Sequence, residues 1–400
     1  MLALSPLMIG WGGSEEVVED VIFTVGVLTD FSGGSASAVV PTMAAFEESI
    51  LYYQEKEPIK GLRVKFQRYD HQFDYSKTVA GYQELTARGM NLLYAIGPTE
   101  RDMLQSYLTE DHMPCIGSSG RMDALSFPWI WNVVPTYSWQ VECALQFIAD
   151  TWDYSGGPPK IAHQGWVLAM TDQYQAAIDS VLNDPAWAGK FQWVGVDRAT
   201  TSNVTWNTSY QKFQDCDFII CSNVGNSVAT FVGQMRALGY TGSFISGTDQ
   251  FTGYWNLVQA NTPAAGLYGC YYTWWGPIVL SDSDADWFQE MTATTKANHD
   301  DWAARLANTG PITGWFTGAF VYDAIGRAAE EAGPSNVDGD ALKAALDATD
   351  IAFDETGNTL HFPEGCNTGL WTMRVAKWNV DESRWQPAND TWYEALSAPE

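Results

Sequence analysis

Basic residues are scarce in this sequence. Only 21 of its 400 residues are Lys or Arg, against 48 Asp or Glu, so the formal net charge is −27. A surface this acidic repels the phosphate backbone of nucleic acids. Charged residues make up 17% and hydrophobic residues 46% of the chain, a balance typical of folded proteins. The composition therefore predicts a globular protein whose partner is not a nucleic acid.

Closely spaced cysteine pairs and long apolar runs are also missing. The six cysteines include no CxxC pair, which excludes a zinc ribbon and a thioredoxin-like motif, while their even number leaves disulfides open. The five histidines lie far apart in the sequence, which argues against a histidine-rich metal site. Beyond the N-terminus, no stretch approaches the ~18 consecutive apolar residues of a membrane helix. We expect no metal and no internal membrane span.

The common signatures of enzymes are absent as well. The chain has no GxxxxGK[ST] phosphate loop, no GxGxxG after a strand, no GxSxG nucleophile elbow and no HExxH. Each of these motifs positions a nucleophile, a metal or a nucleotide cofactor, and no other motif of this kind is visible in the sequence. The sequence therefore predicts a protein that is not an enzyme and needs no cofactor.

What the sequence does contain is a regular alternation of strand and helix patterns. "VIFTVGVLT", "LRVKFQRYD", "NLLYAIG" and "PCIGSS" are strand patterns separated by helical ones, one of which should stop near Gly89. A second series then follows, with "KIAHQGW", "FQWVGVD", "DFIICSN", "SFISGTD" and "GLYGCYYTWW". Such alternation predicts an α/β fold with parallel sheets flanked by helices. Because 400 residues exceed the usual size of one core, we expect two similar lobes.

Polar residues at two predicted strand ends are candidates for ligand binding. In open parallel sheets, ligands bind beyond the carboxyl ends of the strands. In "GSSGR", Ser118, Ser119 and Gly120 could hold a carboxylate or carbonyl, although taken alone the stretch is more typical of an ordinary capped turn. In "SGTDQF", Asp249 could pair with an ammonium group or simply cap a helix.

The densest aromatic cluster is "YYTWW", which contains Tyr271, Tyr272, Trp274 and Trp275. These rings could stack on a planar or cationic ligand. Alternate residues of a strand point to opposite faces, so core packing is the other interpretation for some of them.

The order and spacing of these segments resemble the extracytoplasmic solute-binding proteins of ABC transporters, in the type I branch that binds leucine, isoleucine and valine. The resemblance runs over nearly the whole chain, through "FTVGVLTDFSGG", "MPCIGSSG", "DFIICSNVGNSVATFVGQMRALGY" and "WFTGAFVYDAIGRAAEEAG". It implies two Rossmann-like lobes, joined by three hinge crossovers, that close on a solute. The implied crossovers lie near residues 134–137, 272–276 and 347–353. The implied lobes are 21–135 plus 276–348, and 136–275 plus 349–400.

The resemblance also implies a ligand site between the lobes. In the first lobe, the implied site residues are Phe31, Ser32, Thr99, Glu100, Arg101, Ser118, Ser119, Gly120 and Arg121. In the second lobe, they are Tyr174, Asn223, Val224 and Asp249, to which the aromatic cluster adds Tyr272 and Trp274. Two arginines near a site that the family usually lines with hydroxyls, and a strongly aromatic cluster, depart from the branched-chain amino acid pattern. We therefore expect a small amino-acid-like or aromatic/amide solute.

Two functions follow from these observations. The first is capture of a small-molecule solute by a monomeric binding protein that delivers it to an ABC transporter permease. The alternative is a ligand-sensing domain of a signalling or regulatory system. The N-terminus discriminates between them, because an export signal favours transport.

Residues 1–20 resemble a lipoprotein leader and its flexible tether. In "PLMIGWGGSEE", an apolar run ends at Gly10 and passes into Gly, Ser and Glu, but Trp11 occupies the position of the lipid-accepting cysteine. A truncated gene start, a substituted acceptor position and cleavage by an ordinary signal peptidase all remain open. We expect a location in the periplasm or on the extracellular face of the membrane, with or without a lipid anchor.

Overall fold

The structure, a computed structural model, describes residues 20–118, 120, 127–200, 203–247, 251–276, 285–306, 308–352, 359–364 and 366–398. Residues 1–19 of the predicted leader 1–20 and the predicted site residues Ser119, Arg121 and Asp249 lie outside these ranges. Within them, no helix combines the length and the apolar character needed to cross a membrane.

The first sheet is built from parallel strands near the start of the chain. Its strands are β1 (Val21–Thr29), β2 (Leu62–Asp70), β3 (Leu92–Tyr94), β4 (Cys115–Gly117) and β5 (Ile130–Asn132), in the order β2-β1-β3-β4-β5. β1 is buried along its last seven residues, as expected for a Val-rich strand covered on both faces. The covering helices in this part are α1 (Ala36–Lys56), α2 (Thr78–Ala87) and α3 (Pro98–Glu110).

The second sheet repeats this topology. Its parallel strands are β6 (Lys160–Trp166), β7 (Gln192–Ala199), β8 (Phe218–Cys221), β9 (Ser243–Ser246) and β10 (Cys270–Trp274), in the order β7-β6-β8-β9-β10. The accompanying helices are α4 (Tyr137–Thr151), α5 (Ala169–Asn183), α6 (Asn207–Phe213), α7 (Gly225–Ala237) and α8 (Trp255–Asn261). The predicted two series of strands and helices are therefore confirmed.

The last part of the chain packs a helix beside the first sheet and adds strands to the second. Its helices are α9 (Asp286–Asn298), α10 (Trp302–Leu306), α11 (Thr309–Ala332) and α12 (Gly339–Asp347). Its strands are β11 (Asp350–Ala352), β12 (Thr359–His361), β13 (Thr372–Asn379), β14 (Arg384–Pro387) and β15 (Tyr393–Glu394). α11 packs along α1 beside the first sheet, whereas β13 pairs antiparallel with β10 and extends the second sheet. We call the first sheet with α1–α3 and α11 the first lobe, and the second sheet with α4–α8 the second lobe.

Helix ends follow the local sequence signals. Gly89, with φ of 81°, lies just beyond the end of α2, where the sequence predicted a stop. Thr136 caps α4 by accepting a hydrogen bond from the backbone N–H of Trp139 at 3.2 Å. These caps fix where each helix begins or ends relative to the strand edge, and so position the loops there.

All six cysteines lie in the described part of the chain, where they are buried and form no disulfide. Burial raises the pKa of Cys115 to about 12 and that of Cys143 well above its ordinary value. Since the thiolate is the reactive form, these side chains act as small apolar core residues.

Candidate functional site

A cavity lies at the carboxyl ends of the strands in both lobes. Each sheet has a point where successive connections leave in opposite directions: between β1 and β3, and between β6 and β8. The cavity is lined there by Thr29 and Gly97 from the first lobe and by Trp166 and Val224 from the second. Its volume is about 410 Å³, within the range of small-molecule sites.

Aromatic and aliphatic side chains form most of the cavity wall. The larger ones are Phe73, Tyr75, Ile96, Tyr137, Trp166, Leu168, Met170 and Tyr254. Both lobes contribute to this list, so a ligand with an apolar or aromatic body would contact both at once.

A layer of buried residues holds the second-lobe wall in place. The indole Nε1–H of Trp166 donates to Ser227 Oγ at 2.8 Å, and Asn223 Nδ2 donates to the same oxygen at 3.0 Å. The ring of Tyr137 packs on Tyr174, with centroids 5.6 Å apart. The predicted site residues Asn223 and Tyr174 are both fully buried and do not line the cavity. Their positions allow Asn223 to support Trp166 and Tyr174 to support Tyr137. Val224, in contrast, does line the cavity.

His163 lies beneath Tyr174 in this supporting layer. Its ring stacks on Tyr174 at 5.8 Å, and its nitrogens lie 3.1 Å from Gln175 Oε1 and 2.8 Å from Ser222 Oγ. Burial lowers the pKa of His163 to about 4, so the imidazole is neutral near pH 7. The second-lobe wall therefore rests on a neutral hydrogen-bonded network.

The first lobe supplies the main polar groups of the cavity. Ser118 lines it and lies 2.7 Å from the hydroxyl of Tyr94. Thr99 and Glu100, in the first turn of α3, also line it. Glu100 is 3% exposed, and its Oε1 lies 2.8 Å from Nε2 of the buried His71. Four of the predicted site residues, Thr99, Glu100, Ser118 and Val224, thus come together in one cavity.

Among the residues that the structure describes, the charged side chains that line the cavity are acidic. The described lining contains Glu100 and Asp102 and no Lys, Arg or His. Burial, and after it the negative charge of Glu100, raises the pKa of the nearby Tyr75. Tyr75 is therefore a neutral phenol in the physiological range.

Arg101, predicted from the resemblance to be a site residue, is buried behind the cavity. It is 1% exposed, and its guanidinium donates to Asn132 Oδ1 at 2.8 Å and to the carbonyl of Gly97 at 3.2 Å. Burial lowers its pKa. An added Cβ at Gly117 would overlap this guanidinium, so the glycine makes room for it. These contacts indicate that Arg101 positions the strand ends.

We expect Arg101→Lys to lower the free energy of unfolding by about 1–2 kcal/mol, because an ammonium cannot reproduce the guanidinium geometry. Affinity for a cavity ligand should change less than about twofold, since Arg101 does not line the cavity. Urea unfolding and calorimetric titration measure the two quantities. Arg305→Lys, in an exposed ion pair with Asp301, is the matched control. A large affinity loss in a folded Arg101→Lys protein would show that Arg101 contacts the ligand.

Phe31, Ser32 and Gly120 lie outside the cavity lining. The backbone N–H of Phe31 and the hydroxyl of Ser32 donate to the carboxylate of Asp70, at 2.9 Å and 2.6 Å. Gly120 is buried where an added Cβ would lie 2.7 Å from the carbonyl oxygen of Pro135. In this structure the three residues serve local loop geometry.

The predicted aromatic ligand wall from "YYTWW" is found in the core instead. Tyr272 and Trp274 are 2% and 0% exposed and do not line the cavity. Tyr272 packs edge-on against Trp385, and Trp274 packs against Trp275. β10 is paired at both edges, with β9 and β13, and the burial of its side chains shows that both of its faces are covered by protein. Core packing, the other interpretation from the sequence, is therefore what the structure shows for Tyr272 and Trp274.

The aromatic wall that does line the cavity was missed by sequence reasoning. Phe73, Tyr137, Trp166 and Tyr254 are spread over 182 positions of the chain, from 73 to 254, and share no motif. One signal was available for Trp166, which ends a buried strand at the carboxyl edge of the sheet. The others stand in loops or helix starts whose folding back over the cleft depends on tertiary packing.

No group of three or more His, Cys, Asp or Glu side chains in the described ranges could hold a metal ion. The cavity geometry is instead that of a site that encloses a ligand between two lobes.

Comparison with solved structures identifies relatives of this fold. A Thermus thermophilus branched chain amino acid ABC transporter protein with bound valine is 15% identical, covers 94% of this chain and 98% of its own, and has a TM-score of 0.80. A fatty acid ABC transporter substrate-binding protein from Thermomonospora curvata is 16% identical, covers 94% and 93%, and has a TM-score of 0.78. Streptococcus pneumoniae LivJ with isoleucine is 13% identical, covers 94% and 100%, and has a TM-score of 0.73. These likenesses confirm the predicted two-lobe fold.

No curated protein sequence is significantly similar to this chain. The family model for periplasmic binding proteins, in contrast, matches residues 23–383, which is most of the sequence. This match confirms the predicted resemblance and, with it, the prediction that the protein is not an enzyme. The chain belongs to the periplasmic binding protein family and is a solute-binding protein.

Proposed function

We propose that this protein captures a small amino-acid-like or aromatic/amide solute and delivers it to the permease of an ABC transporter. The observation that carries the proposal is the cavity of about 410 Å³ lined from both lobes at the strand ends. A solute in this position contacts both lobes and so stabilises the conformation in which they are close together. The structural neighbours named as ABC transporter components support the delivery step.

The proposed moving units are those implied by the sequence resemblance: 21–135 plus 276–348, and 136–275 plus 349–400. The strands of the first sheet lie within 21–132, and those of the second within 160–274 and 372–394, which supports this division. We further propose a location outside the cytoplasm, consistent with a family of periplasmic proteins.

The apolar wall supports the proposed solute class. Tyr137, Trp166 and Tyr254 present aromatic surface, and most of the lining surface is apolar. A sugar presents hydroxyl groups over most of its surface, whereas a small aliphatic or aromatic body matches a mostly apolar lining. The proposal therefore excludes carbohydrates.

A thermal-shift screen of amino acids, amides, aromatic acids and sugars tests the proposed function. A solute present at 100 times its Kd stabilises the folded protein by about 2.7 kcal/mol, which corresponds to several degrees in Tm. We expect such a shift with one of the first three classes and none with sugars. A screen with no shift in those three classes would contradict the proposed solute.

Two tryptophan variants locate the binding event. Val224→Trp adds bulk to the cavity lining and should abolish the shift. Val204→Trp adds the same bulk at an exposed position outside the lining, 57% exposed, and should keep it. If both variants kept the shift, the solute would bind elsewhere.

A further inference from the structure

Three residues that line the cavity carry a buried oxygen with no hydrogen-bond partner among the described residues. These atoms are Glu100 Oε2, Gln173 Oε1 and Thr313 Oγ1. Glu100 and Thr313 are 3% and 2% exposed. A buried polar atom without a partner is costly, and native proteins pair nearly all of them. Three such atoms around one cavity indicate groups that a ligand satisfies.

The chemistry of these atoms is that of hydrogen-bond acceptors. A carboxylate oxygen and an amide oxygen can only accept, and a threonine hydroxyl can accept or donate. The other oxygen of Glu100, Oε1, already faces His71 Nε2 at 2.8 Å, and because a carboxylate accepts, the imidazole donates. Oε2 is thus left to accept from something else.

The acceptors lie on both sides of the cavity. Glu100 is in α3 and Thr313 in α11, both in the first lobe, whereas Gln173 is in α5 of the second lobe. A solute that donates hydrogen bonds both to Glu100 or Thr313 and to Gln173 links the two lobes. The described lining offers no Lys, Arg or His to a solute carboxylate, and Glu100 and Asp102 repel one.

We propose that the cavity recognises its solute through an N–H donor headgroup, a primary amine or primary amide, that donates to Glu100 and Gln173, and that it disfavours a carboxylate. This inference rests on the proposed function and narrows its solute class. Glu100 is then the residue that distinguishes donor headgroups from anionic ones. The apolar wall of Tyr137, Trp166 and Tyr254 takes the body of the solute.

Calorimetric titration with headgroups on matched carbon skeletons tests the inference. The aliphatic probes are isoamylamine, isovaleramide, isovalerate and leucine, and the aromatic probes are phenethylamine, phenylacetamide, phenylacetate and phenylalanine. In one of the two series, we expect the amine or the amide to bind at least about tenfold more tightly than the carboxylate and the amino acid.

Substitutions then assign the headgroup contact. Glu100→Gln should weaken amine binding about 10- to 100-fold, because a charge-assisted hydrogen bond is lost, and should weaken amide binding less than about threefold. Gln173→Leu, on the other lobe, should weaken the binding of either headgroup about fivefold or more. It serves as the test if Glu100→Gln does not fold. Glu84→Gln removes the same charge at an exposed site in α2 and should leave affinity unchanged.

The outcomes separate this inference from the proposed function. Equal or tighter binding of the carboxylate or the amino acid would overturn the donor-headgroup inference and leave solute capture standing. Unchanged amine and amide affinities in both Glu100→Gln and Gln173→Leu would also overturn it. A protein that bound neither these probes nor any solute of the thermal-shift screen would contradict the proposed function itself.

Discussion

Gly314→Ala is expected to destabilise the protein by about 3 kcal/mol, because α1 and α11 approach each other too closely for an added methyl group. A Cβ at Gly314 would overlap the carbonyl oxygen of Thr42 and lie 3.1 Å from the backbone nitrogen of Phe46. One turn further on, a Cβ at Gly318 would lie 2.5 Å from the carbonyl oxygen of Phe46. These contacts are with backbone atoms, so relief requires the two helices to separate.

Gly326→Ala is the matched control for this experiment. It lies in the same helix, but the nearest atom to its added Cβ is Ile59 Cδ1 at 3.7 Å, an ordinary contact. Alanine should therefore stabilise the helix at this position by up to about 1 kcal/mol. Urea unfolding of both variants gives the two free energies. Equal effects at the two positions would contradict the close packing of α1 on α11.

The same packing matters for the cavity. Thr42 of α1 and Thr313 of α11 both line it, and Gly314 is adjacent to Thr313. If the helices separate, the first-lobe wall shifts with them. The Gly314→Ala protein, if folded, should therefore also lose affinity for its solute.

Between pH 7 and pH 4, the free energy of unfolding is expected to fall by about 3 kcal/mol less in His163→Gln than in wild type. Burial lowers the pKa of His163 from its ordinary 6.5 to about 4. The unfolded chain thus binds a proton between these pH values and the folded protein does not. The stability contributed by the neutral imidazole is fully present above pH 6.5 and is lost as the pH falls to about 4.

The difference between variant and wild type isolates this effect from the many carboxylates that titrate in the same range. The free energy of unfolding, measured by urea between pH 7 and pH 4, should fall less steeply in His163→Gln than in wild type. His112→Gln is the control, because it makes the same substitution at an exposed position, in a pair with Asp340. Equal slopes in all three proteins would show that His163 is not held neutral by burial.

The fold was largely predictable from the sequence. Val21–Thr29 and Phe218–Cys221 are β-branched or aromatic runs bounded by turn residues, and such runs specify buried parallel strands locally. The helix stop near Gly89 follows from the left-handed conformation that glycine adopts easily. Their order along the chain was sufficient to predict the two lobes and the family resemblance.

The candidate site was predictable in part. Thr99, Glu100, Ser118 and Val224 lie in the loops or helix starts that follow strands. The carboxyl ends of parallel strands meet at one edge, so their sequence position places them at the cavity. Their roles in binding a solute stay predictions. Ser119, Arg121 and Asp249 lie outside the described residues and stay predictions of the sequence alone.

Tertiary structure decided the rest, because burial and side-chain direction depend on what packs from distant parts of the chain. Trp274 and Arg101 have the chemistry of ligand contacts, but Trp274 is fully buried in the core, and Asn132 accepts a hydrogen bond from the guanidinium of Arg101. Tyr254 and Gln173 carry no local signal and become cavity residues only when the two lobes face each other. The strands, the two lobes and the sheet edge at which the cavity lies were predictable from the sequence. Only the packing of one lobe against the other decided which side chains, and which unpaired acceptors, form the site.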